Sequence, residues 1–204
     1  MLFLTRLADL VLVNVLWLAC CIPVFTIGAS TAAMYRVVFN WIGQKDDTST
    51  LSAFFHAFRQ NWKQATAIWL ILLGVLIALC ADAWLINSLY PATKAILYAV
   101  LFLPVIAVLF TLVYVFAVLS YFENSIAQTL KNAFLLSIGH LPLTILMLAL
   151  NAIPLVLFLF LPAWFIYFGF FWLLVGFSGI AYLNAKQLHP IFRSLASSRQ
   201  SSEG

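Results

Sequence analysis

Charged side chains are scarce in this sequence. Ten Lys and Arg and six Asp and Glu stand among 204 residues, too few to coat a water-soluble surface. The basic residues are scattered between apolar runs, with no stripe or cluster that follows a phosphate backbone, and this argues against nucleic acid as a partner. Cysteine is nearly absent. Cys20, Cys21 and Cys80 all lie in apolar runs, their odd number gives no disulfide framework, and they read as small apolar fillers. The three histidines, His56, His140 and His189, show no HxxxH spacing, and no CxxC, glycine-rich phosphate loop or GxSxG elbow occurs. The expectation is no metal, no cofactor and no enzyme.

What is present is hydrocarbon. Apolar residues make up 65% of the chain and the mean hydropathy is +1.09. Several apolar runs are long enough to cross a bilayer, so the lipid bilayer is the expected solvent. The fold predicted is an all-α polytopic membrane helix bundle. Five spans are expected near 7–27, 65–89, 95–122, 141–161 and 163–183, with two interfacial amphipathic helices near 50–63 and 125–138. They form a single transmembrane domain, 1–185, followed by a serine-rich tail, 186–204, expected to be cytoplasmic and disordered at its end. Leu141 to Leu183 is almost wholly apolar and, at about 1.5 Å per residue, twice a bilayer core, so a fold-back at Pro162 is expected. Pro91 is the expected turn after the second span and Pro104 a kink within the third. Met1 to Pro23 reads as a retained span, because Asp9 follows Arg6 closely and no small-x-small site precedes Cys20 or Cys21.

Ser49 or Thr50 is the expected N-cap of the first amphipathic helix. Leu51, Phe54, Phe55, Phe58 and Trp62 share one face, and Ser52, His56, Arg59, Gln60 and Lys63 the other. A short helix with an aromatic and a basic face lies in the membrane interface, so Phe54, Phe58, Arg59, Trp62 and Lys63 are the expected inner-leaflet anchor. A shift of 76 residues lays Phe54, Ala57 and Phe58 on Leu130, Ala133 and Phe134, a faint sign of a duplicated unit of amphipathic helix and hairpin.

Five spans put Arg36, Lys45, Arg59, Lys63, Lys131, Lys186, Arg193 and Arg199 on one side, and only Arg6 and Lys94 on the other. Lys and Arg concentrate on the cytoplasmic side, so the expected C-terminus is cytoplasmic and the N-terminus outside. Trp84, Tyr90, Trp164, Tyr167 and Tyr182 lie where span ends meet the interface.

Three polar residues fall at membrane depth: Asn14, Asp82 and Asn151. Interhelical hydrogen bonds are the ordinary use of such amides. Asp82, seven residues from its span's end, reads plainly as a carboxylate near the headgroups. The sharper reading is one polar cluster lining a path, as in a small transporter or channel. At Asn151 a helix can open, because Pro154 frees a carbonyl that an amide can satisfy. An intramembrane enzyme needs a convergent cluster such as Glu123, His140 and His56. After the first span comes Gly28, Ala29, Ser30, Thr31, Ala32, Ala33; such small side chains let helices approach closely.

The stretch Asn14-x-x-Trp17 followed by Pro23-Val24-Phe25-Thr26-Ile27-Gly28-x-Ser30-Thr31-Ala32-Ala33-Met34-Tyr35 resembles the opening of the YesL-like family of bacterial membrane proteins. Phe58-Arg59-Gln60-Asn61-Trp62 and Lys131-Asn132-Ala133-Phe134 are similar to that family as well, and Ala29 departs from it where proline is expected. The resemblance carries no catalytic residues. It implies a setting beside carbohydrate ABC transporters, hence an accessory membrane protein that binds membrane subunits of a sugar importer. Gly28, Ser30, Thr31, Ala32 and Ala33 are the expected contact surface.

Overall fold

A computed structural model describes residues 2–44, 49–89, 93–160 and 169–203. The turns expected at Pro91 and Pro162, the loop residue Lys45 and the anchors Tyr90, Trp164 and Tyr167 lie outside them. Among the described residues the fold is all-α. Helices follow from the solvent: hydrocarbon bonds to no backbone group, so each peptide must pair within its own helix. The order is α1 (Leu2–Cys21), a short 3₁₀ turn (Val24–Thr26), α2 (Ile27–Gly43), α3 (Thr50–Leu89), α4 (Lys94–Tyr121), α5 (Ile126–Gly139), α6 (Leu141–Phe160), a π-helical turn (Trp172–Gly176) and α7 (Phe177–Glu203). Among the described residues α3, α4 and α6 are long and apolar enough to cross a membrane.

The core sits at one end of the molecule. It is built from α2, the first half of α3, the last turns of α4, α5 and α7, with Val37, Val38, Phe54, Ile68, Tyr114, Val118, Leu188 and Phe192 buried in it. Distal α3, proximal α4 and distal α6 project from this core with apolar side chains such as Ile77, Val100, Leu103, Leu155 and Leu159 exposed.

The first amphipathic helix and the second span are one element. Thr50–Leu89 runs for 40 residues without a break. Ser49 caps it, its Oγ accepting from the Ser52 N–H at 3.4 Å. Its first turns carry three faces rather than two. Phe54 and Ala57 are buried and Phe58 half-buried, Leu51, Phe55 and Trp62 are exposed, and Arg59 and Lys63 are exposed beyond them. The expected anchor therefore divides: Phe54 and Phe58 serve the core, and Trp62, Arg59 and Lys63 face outward.

The second amphipathic segment is separate. A capping box starts α5, with Ser125 Oγ accepting from the Gln128 N–H and Gln128 Oε1 from the Ser125 N–H, each at 3.3 Å. It stops because Gly139 and Pro142 interrupt the helix, where the positions 76 residues earlier, Lys63 and Thr66, do not. Thr144 holds the joint. Its hydroxyl donates to the Ser137 carbonyl at 2.7 Å and meets the Tyr114 hydroxyl at 3.0 Å, both contacts buried. Thr144→Val keeps the shape and removes both bonds, so it should destabilise the fold by about 1–3 kcal/mol. SDS-titrated unfolding of the purified protein measures this, and the double variant with Tyr114→Phe should lose less than the two singles summed.

The serine-rich tail is helical, which corrects the expectation of disorder: α7 continues to Glu203. Leu188 and Phe192 anchor its first half in the core. Further along, Ser194, Ser197 and Ser198 turn their hydroxyls onto the carbonyls three residues back.

The segment expected as the first span is half of a helical hairpin. α1 and α2 pair antiparallel: Arg6 lies over the Trp41 ring at 5.7 Å, and the Trp17 indole donates to Thr31 Oγ1 at 3.1 Å. The Thr50 hydroxyl donates to Asp9 Oδ1 at 2.9 Å, so the beginning of α1 lies beside the beginning of α3. The far end of the hairpin reaches Trp69, whose indole donates to the Val24 carbonyl at 2.8 Å. α1 thus leaves the core end and α2 returns to it, so the segment expected as the first span, 7–27, is paired along its length with the helix that follows.

Candidate functional site

The residues expected to converge have separate settings. Asn14 is fully buried and belongs to α7's entry. Its Nδ2 donates to the Leu173 carbonyl at 2.6 Å and its Oδ1 accepts from the Ser178 N–H at 2.8 Å. Leu173 and Ser178 are five apart, the spacing of a π-helical bond, and the Asn14 carboxamide stands where that bond would close. The turn depends on Gly176 as well: a Cβ there would lie 2.7 Å from the Trp172 ring, which folds back across it. Trp17 lies tilted against Phe177, ring centroids 4.6 Å apart, and packs the neighbouring turn.

Asn151 is exposed and donates to the Met147 carbonyl of its own helix at 2.7 Å. The carbonyl deprived of its partner by Pro154 is that of Leu150, four residues before it, so Asn151 does not serve the proline as expected. Asp82 is exposed in an open groove of about 770 Å³ between distal α3 and proximal α4, lined by Leu79, Leu85, Ile86, Leu97 and Pro104. Among the described residues Asn14, Asp82 and Asn151 thus stand on three different contacts: the π turn, the α3–α4 groove and the surface of α6.

The small-residue run faces inward. Gly28, Ala29, Ser30, Ala32 and Ala33 are buried and Thr31 half-buried. A Cβ on Gly28 would meet the Ala65 carbonyl oxygen at 2.6 Å, Trp69 Cβ at 2.8 Å and Phe116 Cε1 at 2.9 Å. The run packs α2 onto α3 and α4 of the same chain, which corrects its expected role as a surface for an outside partner.

The residues posed as an acid–base cluster are dispersed. Glu123 is exposed before α5, His56 exposed on α3, and His140 caps α5 with Nδ1 3.4 Å from the Leu136 carbonyl. Among the described residues no three His, Cys, Asp or Glu come together as a metal set. At the core end a narrow cleft of about 170 Å³ opens between α2, α4 and α7, lined by Arg36, Asn40, Tyr121 and His189. Arg36 donates there to the Ser120 carbonyl at 2.8 Å, joining α2 to the C-terminal turn of α4.

Residues 10–83, from α1 through most of α3, match the profile of a family described as a protein of unknown function, DUF624. The chain is 28% identical over 150 residues to the Bacillus subtilis (strain 168) protein described as uncharacterized protein YesL, covering 72% of this chain and 70% of that one. It is 27% identical over 152 residues to uncharacterized protein YteU of the same strain, covering 73% and 68%. The chain is thus similar to YesL and YteU over about 150 residues, and its first part is similar to the DUF624 profile. No solved structure matches it.

The matched segment contains most of the α1–α2 hairpin and the α3 face that receives Gly28. Sequence reasoning had marked Asn14 for an interhelical hydrogen bond and the small run for close helix packing, but not the partners of either. Asn14's partners lie 159 and 164 residues away, and nothing local announces a π turn. Asn184 went unmarked; it is fully buried and donates through Nδ2 to the Tyr35 hydroxyl at 3.4 Å, joining α7 to α2. Its position on the inward face, one turn before Leu188, was the available signal.

Proposed function

We propose that this YesL-like chain is an accessory or regulatory protein of the cytoplasmic membrane, associated with ABC-type uptake of oligosaccharides and working through contacts rather than catalysis. The observation that carries the reading is how the chain divides its side chains. Its polar and small residues are used inside, in the Asn14 clamp and the Gly28 contact, while the apolar windows of α3, α4 and α6 are each only 11% buried. Such a protein has broad apolar flanks for lipid and for the spans of another membrane protein. Because the small run is consumed within the chain, the partner surface passes to the exposed faces of distal α3, α4 and α6. The carbohydrate setting comes from the family resemblance, and the partners it suggests are the membrane subunits of a sugar importer.

The basic end of the molecule faces the cytoplasm in this reading. Arg59, Lys63, Lys131, Lys186 and Arg193 are set about the core end, where anionic inner-leaflet lipid attracts them. The C-terminal helix is then cytoplasmic. The test is affinity purification of the full chain from native membranes in mild detergent. Enrichment of the membrane subunits of a sugar importer is expected; recovery of none overturns the reading.

A further inference from the structure

The α1–α2 hairpin has the construction of a re-entrant loop. We infer that it enters the inner leaflet from the cytoplasmic side, inserts its tip among the acyl chains, and returns without crossing. Three observations carry this. First, both ends of the hairpin lie at the start of α3: Asp9 accepts from Thr50, and Arg6 lies over Trp41 near the end of α2.

Second, the tip stops at a definite depth. Between exposed Lys63 and exposed Asp82, α3 carries no charge, and at about 1.5 Å per residue Gln64 to Ala81 covers about 27 Å, close to a hydrocarbon core. The tip meets α3 at Trp69, six residues past Lys63, so it enters about 9 Å. That is less than one leaflet and matches the depth reached by monotopic elements.

Third, the tip is dressed for hydrocarbon. Ile22, Val24 and Phe25 are 81%, 59% and 52% exposed, a contiguous apolar cap. In the turn beneath them the Cys20, Pro23 and Val24 carbonyls are paired, which irregular backbone at this depth favours. The Thr26 hydroxyl shares its proton between the Cys20 and Pro23 carbonyls, at 2.5 and 2.6 Å. The Thr26 N–H donates to the Pro23 carbonyl at 2.9 Å, and the Trp69 indole takes the Val24 carbonyl. Apolar side chains that cap a turn with these three carbonyls paired fit acyl chains rather than water.

In this topology Arg6 joins the cytoplasmic set, leaving Lys94 as the one basic residue on the outer side of the ten in the chain, a stronger bias than five spans gave. Both termini are cytoplasmic. The inference rests on the membrane reading and is independent of any partner.

Single-cysteine variants of the full chain, with Cys20, Cys21 and Cys80 replaced by Ala, test it. In inside-out and right-side-out native vesicles an impermeant maleimide should reach Thr5→Cys and Ser198→Cys from the cytoplasmic face only, and Lys94→Cys from the outer face only. In proteoliposomes of phosphatidylglycerol and phosphatidylethanolamine, bimane on Phe25→Cys should be quenched by acyl-chain spin labels and not by iodide. Thr5→Cys labelling with Lys94→Cys from the outer face overturns the inference, because α1 then crosses. Iodide quenching at Phe25→Cys overturns it also, because the tip is then in water. Neither result bears on co-purification, so failure of the partner proposal and failure of this one are distinguishable.

Discussion

Asn14→Leu is expected to destabilise the protein by about 3 kcal/mol or more, although it adds apolar bulk to an apolar helix. The magnitude follows from what remains after the change. A hydrogen bond between membrane helices contributes on average only about 0.6 kcal/mol, which alone would make Asn14 dispensable. But Leu173's carbonyl and Ser178's N–H face the α1 contact, and each loses its partner when the amide goes. A buried unpaired group costs about 1–3 kcal/mol, and here there are two. The turn cannot simply close into an α-helix, because one residue fewer per turn would rotate one flank by about 100°, and the following flank is fixed by buried Asn184, Leu188 and Phe192. Asn14→Asp should be at least as harmful: it accepts from Ser178 and sets a second oxygen against the Leu173 carbonyl. SDS-titrated unfolding measures both variants. Deleting Leu174 in the Asn14→Leu background tests the cause, since it converts the π turn to an α turn and lets backbone pair with backbone. Recovery of part of the loss is expected; a further loss of the same size would mean that the π turn is not what Asn14 holds.

The helical class and the apolar flanks were legible in the sequence because the bilayer imposes them on composition and run length. The small run was legible as a packing surface, because small side chains have few other uses at that density. What the run packs against was not: Ala65, Trp69 and Phe116 lie far along the chain, and composition distinguishes no inside partner from an outside one. The pairing of α1 with α2 was hidden for a related reason. Leu2–Cys21 has the length and hydropathy of a span, and length alone does not say whether a helix crosses or turns back. That information lies in pairings between distant residues, Asp9 with Thr50 and Trp69 with Val24. The tail was misread because serine lowers helix propensity, whereas Leu188 and Phe192 secure the helix by burial.

Gly28→Val is the substitution expected to do the greatest damage. A glycine in a helix is usually replaceable, and in water the added side chain even favours the helix. Here the first obstacle is backbone. The Ala65 carbonyl oxygen would lie 2.6 Å from a Cβ at residue 28, and an oxygen held within α3 cannot rotate aside as a side chain can. Trp69 Cβ at 2.8 Å closes a second direction and Phe116 at 2.9 Å a third, so α2 must move away from both α3 and α4. Displacing α2 also strains the Trp69 bond to Val24 and the Arg36 bond to Ser120, which tie the tip of the hairpin and its core end to the same two helices. Overpacking of a core costs about 1–3 kcal/mol when side chains can yield, and more when they cannot. Gly28→Val should therefore yield little monodisperse protein by fluorescence-detected size exclusion in mild detergent. Gly28→Ala, with the same first collision and no further bulk, should fold with a lowered unfolding midpoint. Gly74, whose Cβ position has nothing within 4 Å, supplies the control: Gly74→Ala should leave the midpoint unchanged or raise it. Equal behaviour of Gly28→Ala and Gly74→Ala would mean that α2 does not sit against α3 at Ala65, and the hairpin would lose its seat.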